Sequence, residues 1–247
     1  MQEHPKEDQG LGRRDFLRKA VAGGVAATTT AMAPAPALAQ QPAVAIPPQQ
    51  TAVAPPTAAY EFLNLEEQVF VEALVNHMIP ADGLTPKGTD MGINVYIDRA
   101  LSGAWGKGDR LYMQGPWKPG EASQGYQLPL TPAQLYRAGI AATNAYCVKT
   151  YKKTFDKLDA MQREEVLIGL STGKVDLGAL PARAFWTTVY QTVMEGMFSD
   201  PIYGGNRDKA GWKLIGVPGA LAVNRENVEK YRDKPFPADP IGIADMS

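Results

Sequence analysis

The sequence predicts a mostly α-helical protein: a single helical domain with long Gly-, Pro- and aromatic-rich loops, preceded by a signal peptide and a Pro-rich linker. Three observations predict it. Nowhere in the 247 residues does an apolar/polar alternation of strand type persist. Helix-capping residues stand directly before apolar positions spaced three and four apart at several places. Gly and Pro cluster between those segments rather than within them.

The N-terminal elements come first. In "GRRDFLRKA", residues 12–20, Arg13 and Arg14 are followed by Phe16 and Leu17, then by a soft Ala-, Gly- and Thr-rich run to Ala33. That run is too short and too weakly apolar to span a bilayer, which takes about 20 residues. Ala37-Leu38-Ala39 suits a small-residue cleavage site. Basic pair, apolar run and cleavage site in this order read as a twin-arginine signal over residues 1–39, addressed to the machinery that exports folded proteins. The destination is then the periplasm. Residues 40–59 carry Pro42, Pro47, Pro48, Pro55 and Pro56 among Ala and Gln without charge, and read as an extended linker.

A helical domain is expected over residues 60–223. Asn64 and Glu67 form a capping box with Leu63 before it as a staple. Leu65, Val69 and Ala73 with Phe70, Leu74 and Met78 supply an apolar face, and Pro80 ends the helix. A shorter helix is expected from about Asp90 to Leu101, burying Ile93, Ile97 and Leu101. Residues 102–130 are rich in Gly and Pro yet hold Trp105, Tyr112, Trp117 and Tyr126, so an ordered loop is expected. Thr131, Pro132 and Gln134 mark the clearest helix start, with Leu135, Ala138, Ala142, Ala145 and Val148 inward and an end near Leu158. Asp159 caps a further helix through Val166, Leu167 and Leu170 to Gly173. Pro181 opens one whose Phe185, Trp186, Val189, Tyr190, Val193, Met194 and Met197 are almost wholly apolar. Residues 224–247 are expected to form an extended tail.

The composition excludes several chemistries. The signal removes five of the 25 basic and four of the 26 acidic residues, leaving a small negative excess and no footprint for nucleic acid. A single cysteine, Cys147, rules out an internal disulfide, a c-type haem attachment and a cysteine-ligated iron–sulfur cluster. It reads as a buried small hydrophobe. Gly106-Lys107-Gly108 lacks the rest of a dinucleotide fingerprint, and no phosphate-binding loop motif occurs. After loss of His4, His77 is the one histidine left, too few to build a zinc site without carboxylates. Glu66-Glu67 and Glu164-Glu165 are read as first-turn acids complementing helix dipoles. No cofactor site and no transmembrane span are expected in the chain. An export route for folded proteins normally serves a cofactor-bearing cargo, so the signal points to a partner.

Three segments carry a family resemblance: "ADGLTPKGTDMGINVYIDRAL", "DRLYMQGPWKPG" and, most specifically, "DPIYGGNRDKAGWKLIGVPG". Over roughly Tyr60 to Gly219 the chain resembles the gluconate 2-dehydrogenase subunit 3 family, small subunits of membrane-bound flavin-dependent dehydrogenases. The resemblance implies a complex in which a large subunit carries FAD and a multi-haem cytochrome c subunit carries haem c and passes electrons to quinone. It implies no catalytic residue in this chain, and a role in exporting a flavoprotein that lacks its own signal.

Aromatic residues and Arg dominate protein interfaces. On that ground Trp105, Tyr112, Trp117, Tyr203, Asn206, Arg207 and Trp212 are the candidate contact residues, with Gly204 and Gly205 allowing close backbone approach. The alternative stands beside it that the tryptophans lie over the helical core as loop lids. Two other functional classes are kept open: a stand-alone periplasmic enzyme using His77 with carboxylates, and an independent binding or scaffold protein.

Overall fold

A computed structural model describes residues 59–109, 111–118, 120–121, 124, 127–220, 225–236 and 239–246. Arg13, Arg14, Ala37, Ala39, linker residues 40–58 and Tyr126 lie outside the described residues. The described fold is helical without a strand, and the one β-bridge among them joins Gly219 to Ile241. The helices are α1 Leu65–Met78, α2 Ile93–Ser102, α3 Pro132–Tyr151, α4 Ala160–Thr172, α5 Ala182–Phe198, α6 Ala210–Ile215 and α7 Arg225–Lys230. Among the described residues no helix is long and apolar enough to cross a membrane.

Local chemistry starts the helices where the caps stand. Asn64 and Glu67, Thr131 and Gln134, and Asp159 and Gln162 each form a full capping box. Each satisfies two backbone N–H groups that the first turn would otherwise leave bare. α2 begins at Ile93, three residues later than expected, because Gly92 sits in the left-handed region at φ 76. α4 closes on Gly173 as expected.

α5 is the central element and packs on α2, α3, α4 and α6, while α1 lies across α2, α3 and α4. The core holds Phe70 against Phe155, ring centroids 4.7 Å apart, and Tyr136 edge-on to Phe185 at 6.1 Å. All four rings are at least 98% buried, and each contributes about 1.5–3 kcal/mol. The Tyr136 hydroxyl pairs with Thr192 Oγ1, and burial raises its pKa far above the usual tyrosine value.

Two helix faces differ from the expected ones. In α1, Leu65 and Val69 are exposed, and the buried stripe is Glu67, Phe70, Val71, Leu74 and Val75. Glu67 on that inward side accepts from Asn64 N at 2.9 Å. In α3, Ala138, Ala145 and Val148 face solvent, and Leu135, Tyr136, Gly139, Ile140, Thr143, Asn144 and Cys147 face inward. Burying Thr143 and Asn144 is tolerated because both are bonded. Thr143 Oγ1 donates to Gly139 O at 2.7 Å; Asn144 donates to Glu66 Oε1 and accepts from Phe155 N. That last bond also ends α3 at Tyr151, seven residues early. Lys152 takes φ 61, and Phe155 folds back into the core through a single 3-10 turn.

Glu164 and Glu165 lie beyond the first turn of α4, so they are not dipole-complementing acids there. The residues after Asn224 are not an extended tail: α7 forms, and residues 241–246 return to the body. Ala220 N donates to Ile241 O at 2.7 Å and Ile241 N to Pro218 O at 3.1 Å. A 3-10 turn, Ile243–Met246, then carries Asp245 to Lys209 Nζ at 2.5 Å and to Gly242 N at 2.7 Å.

The Lys209 hydrogen bond, and next the Gly242 N–H, hold the Asp245 carboxyl below its ordinary range. A folded-state pKa depressed in this way stabilises the turn above the unfolded pKa, about 4, and that stability is lost as pH falls through the folded value. Amide-exchange protection at Gly242 and Asp245 is therefore expected to fall on acidification below about pH 4. Lys209→Met should reduce the protection already at neutral pH. Protection unchanged by either treatment would show that the ion pair does not hold the segment.

Candidate interaction surface

The segment after α5 is built by local bonding into a rigid loop. Asp200 caps a 3-10 turn, Pro201–Tyr203, by accepting from Ile202 N at 3.0 Å, and its other oxygen accepts from Ile243 N at 2.8 Å. Gly204 takes φ 101, a backbone that a side chain would strain. Gly205 lies so close to α5 that a Cβ there would stand 2.2 Å from Gly196 O. Asn206, fully buried, donates to Ser199 O and accepts from Gly211 N, both at 2.8 Å. Trp212 donates its indole N–H to Phe198 O at 2.7 Å, and Arg207 N donates to Met91 O at 3.0 Å. The loop is thereby tied to α5, to α6 and to the residues before α2.

Across from this loop stands the C-terminal end of α2 with the turn that follows it. Between them runs a groove of 660 Å³ lined by Tyr96, Arg99, Ala100, Gly103, Ala104 and Trp105 on one wall and Ser199, Asp200, Ile202 and Tyr203 on the other. Ile202 and Tyr203 are 50% and 56% exposed. Tyr96 donates its hydroxyl to Glu195 Oε2 at 3.2 Å. Burial first, then the nearby Glu195 carboxylate, pushes the Tyr96 pKa up to about 12, so the ring stays a neutral donor. The groove is apolar and aromatic with an exposed guanidinium at Arg99, the mixture that carries binding energy in protein interfaces.

The structure distributes the sequence candidates unevenly. Trp105 and Tyr203 come together as the two walls of the groove. Tyr112 is 78% exposed and Trp117 half-buried on the loop beyond, and Arg207 is exposed. Asn206 and Trp212 are interior supports with internal partners, not contact residues; Gly204 and Gly205 shape the loop backbone. Trp105 also packs partly on the core, as the lid reading expects, while lining the groove. Sequence reasoning missed Tyr96, Arg99 and Ile202. The spacing of Ile93, Ile97 and Leu101 could have revealed the first two, since residues 96, 99 and 100 share the adjacent face of α2.

His77 lies in the last turn of α1, with Nε2 2.8 Å from Glu164 Oε2 on α4. Their side chains are 15% and 60% exposed. Ser171, which lines the same pocket, donates its hydroxyl to Ile168 O within its own helix. Among the described residues no group of three or more His, Cys, Asp and Glu side chains is placed to hold a metal. Cys147 is fully buried, and burial pushes its thiol up to about 11.

A family model described as "Gluconate 2-dehydrogenase subunit 3" matches residues 65–219. No curated protein and no solved structure matches the chain.

Proposed function

The chain belongs to the gluconate 2-dehydrogenase subunit 3 family, and we propose that it is the non-catalytic small subunit of a periplasmic, inner-membrane-associated dehydrogenase. Its complex oxidises D-gluconate to 2-dehydro-D-gluconate on FAD bound by the large subunit. Electrons leave through haem c of a multi-haem cytochrome subunit to quinone. This chain contributes the twin-arginine signal at Arg13 and Arg14, carries the folded flavoprotein through the translocation machinery, and stays bound to it.

The observation that carries the reading is the family match, which spans the helical body from α1 to Gly219. Supporting it are the signal in the sequence, the absence of any cofactor motif there, and the aromatic groove between Trp105 and Tyr203. In this reading the groove is a contact between subunits.

The decisive experiment replaces Arg13 and Arg14 by lysine and follows the flavin subunit. Periplasmic gluconate dehydrogenase activity is expected to fall to background while folded, FAD-loaded flavoprotein accumulates in the cytoplasm. A flavoprotein that still reaches the periplasm would remove the carrier role.

A further inference from the structure

Two charged side chains line the groove at Trp105 and Tyr203, and only one of them is satisfied within the fold. Asp200 has both carboxylate oxygens on backbone N–H groups, those of Ile202 and Ile243. Glu195, the acid beside Tyr96, accepts from the Tyr96 hydroxyl on one oxygen and from Gln191 on the other. Arg99 has no such partner. Among the described residues it forms no ion pair, and its guanidinium donates no hydrogen bond. Its side chain reaches from α2 to the opposite wall, where a Cβ on Gly204 would stand 2.9 Å from Arg99 Nη1.

A second cation stands close by in the same condition. Arg207 lies over Gly92, where a Cβ would stand 2.7 Å from Arg207 Nε and would also strike Gly204 O. Gly92 and Gly204 thus abut, at φ 76 and 101, and each leaves room for a guanidinium that a side chain would displace. Among the described residues Arg207 likewise forms no ion pair and donates no side-chain hydrogen bond. Two like charges held near one surface without a counter-ion are complemented by an anion from outside. A planar guanidinium takes a carboxylate through two parallel hydrogen bonds. The aromatic walls beside Arg99 add a seat for an apolar side chain, so the complement is an acidic peptide rather than a bare ion. The chain's own linker does not supply it, because residues 40–58 hold no charged side chain. A chain of this family is by name one subunit of a dehydrogenase, so a second chain is at hand.

We propose that the groove receives an acidic segment of the large dehydrogenase subunit, with an apolar side chain seated between Trp105 and Tyr203 and a carboxylate on the Arg99 guanidinium. Arg207, outside the groove, steers the same segment by its charge. The proposal rests on the reading of the chain as a subunit of that enzyme, and names the chemistry that the groove takes.

The test uses the co-expressed complex, purified through a tag on the large subunit, with association measured at low and high salt. Arg99→Glu is expected to weaken association about a hundredfold, because it sets two like charges against each other. Arg99→Lys keeps the charge but loses the planar fork, and should weaken it about tenfold. Arg207→Glu should act mainly at low salt, as a rim charge does. Lys153→Glu, an equal charge change at an exposed site after α3, should leave the complex intact. Arg99 is exposed, and circular dichroism checks that its variants fold. A photo-crosslinker at position 203 should join the large subunit within a peptide that contains Asp or Glu. Wild-type affinity in Arg99→Glu, or an equal loss in Lys153→Glu, would overturn the proposal while the subunit reading stands. A crosslink to a second copy of this chain, or to a peptide without Asp or Glu, would overturn it as well. If the wild-type chains do not associate at all, both fall.

Discussion

Asp98→Ala should lower the stability of the domain by about 3 kcal/mol, roughly 1 kcal/mol for each backbone bond it removes. Asp98 is 2% exposed on α2, and its carboxylate accepts from Glu61 N at 2.7 Å, Phe62 N at 3.0 Å and Leu63 N at 2.9 Å. Those three N–H groups precede the capped start of α1 and have no helical partner. Alanine leaves them facing a void, and Leu63, 4% exposed, loses the anchor that seats it. For a domain of this size the melting temperature is expected to fall by roughly 10 °C. Asp98→Asn keeps one acceptor oxygen but points an amide donor at the remaining N–H groups, so an intermediate loss is expected. Thermal melts of both variants, with amide exchange at residues 61–63, check the assignment. A fall of only a degree or two in Asp98→Ala would mean that the entry segment holds itself.

Gly205→Ala is the second large effect, about 3 kcal/mol, the upper end of overpacking costs. The added methyl would meet backbone atoms of α5, Gly196 O at 2.2 Å and Gly196 C at 2.9 Å, and backbone cannot rotate out of the way. Relief requires the loop to lift. Lifting it stretches the Asn206 bonds to Ser199 O and Gly211 N and the Trp212 bond to Phe198 O. The wall of the groove that carries Ile202 and Tyr203 moves with it. Limited proteolysis within residues 200–212 should accelerate alongside the loss in melting temperature. Gly83→Ala, where a Cβ meets nothing within 4 Å, is the matched control and should be neutral or slightly stabilising. Equal behaviour of the two variants would show that the loop does not depend on close approach at Gly205.

How much of this was legible in the sequence depends on how far apart the interacting residues stand. The capping boxes at Asn64 and Thr131 and the cap at Asp159 were readable because donor and acceptor lie three residues apart. The end of α4 at Gly173 was readable for the same reason. Which face of α3 turns inward was not, because alanine tolerates either side, while the choice was made by Phe185 packing over Gly139 and by Asn144 reaching Phe155. The "DPIYGGNRDKAGW" stretch announced itself as unusual, yet nothing local separated its exposed residues from its buried supports. Tyr203 faces solvent and Asn206 does not, because Asn206 finds both its partners across the turn.

From residue types within short windows one could read the helical class, the capped starts of α1, α3 and α4, and the family. The tertiary structure alone decided that Asp98 anchors a segment 35 to 37 residues away, that His77 meets Glu164 across 87 residues, and that Trp105 faces Tyr203 over a groove. Such pairings follow from how whole helices stack, and stacking is settled by summed apolar burial over many side chains rather than by any one motif.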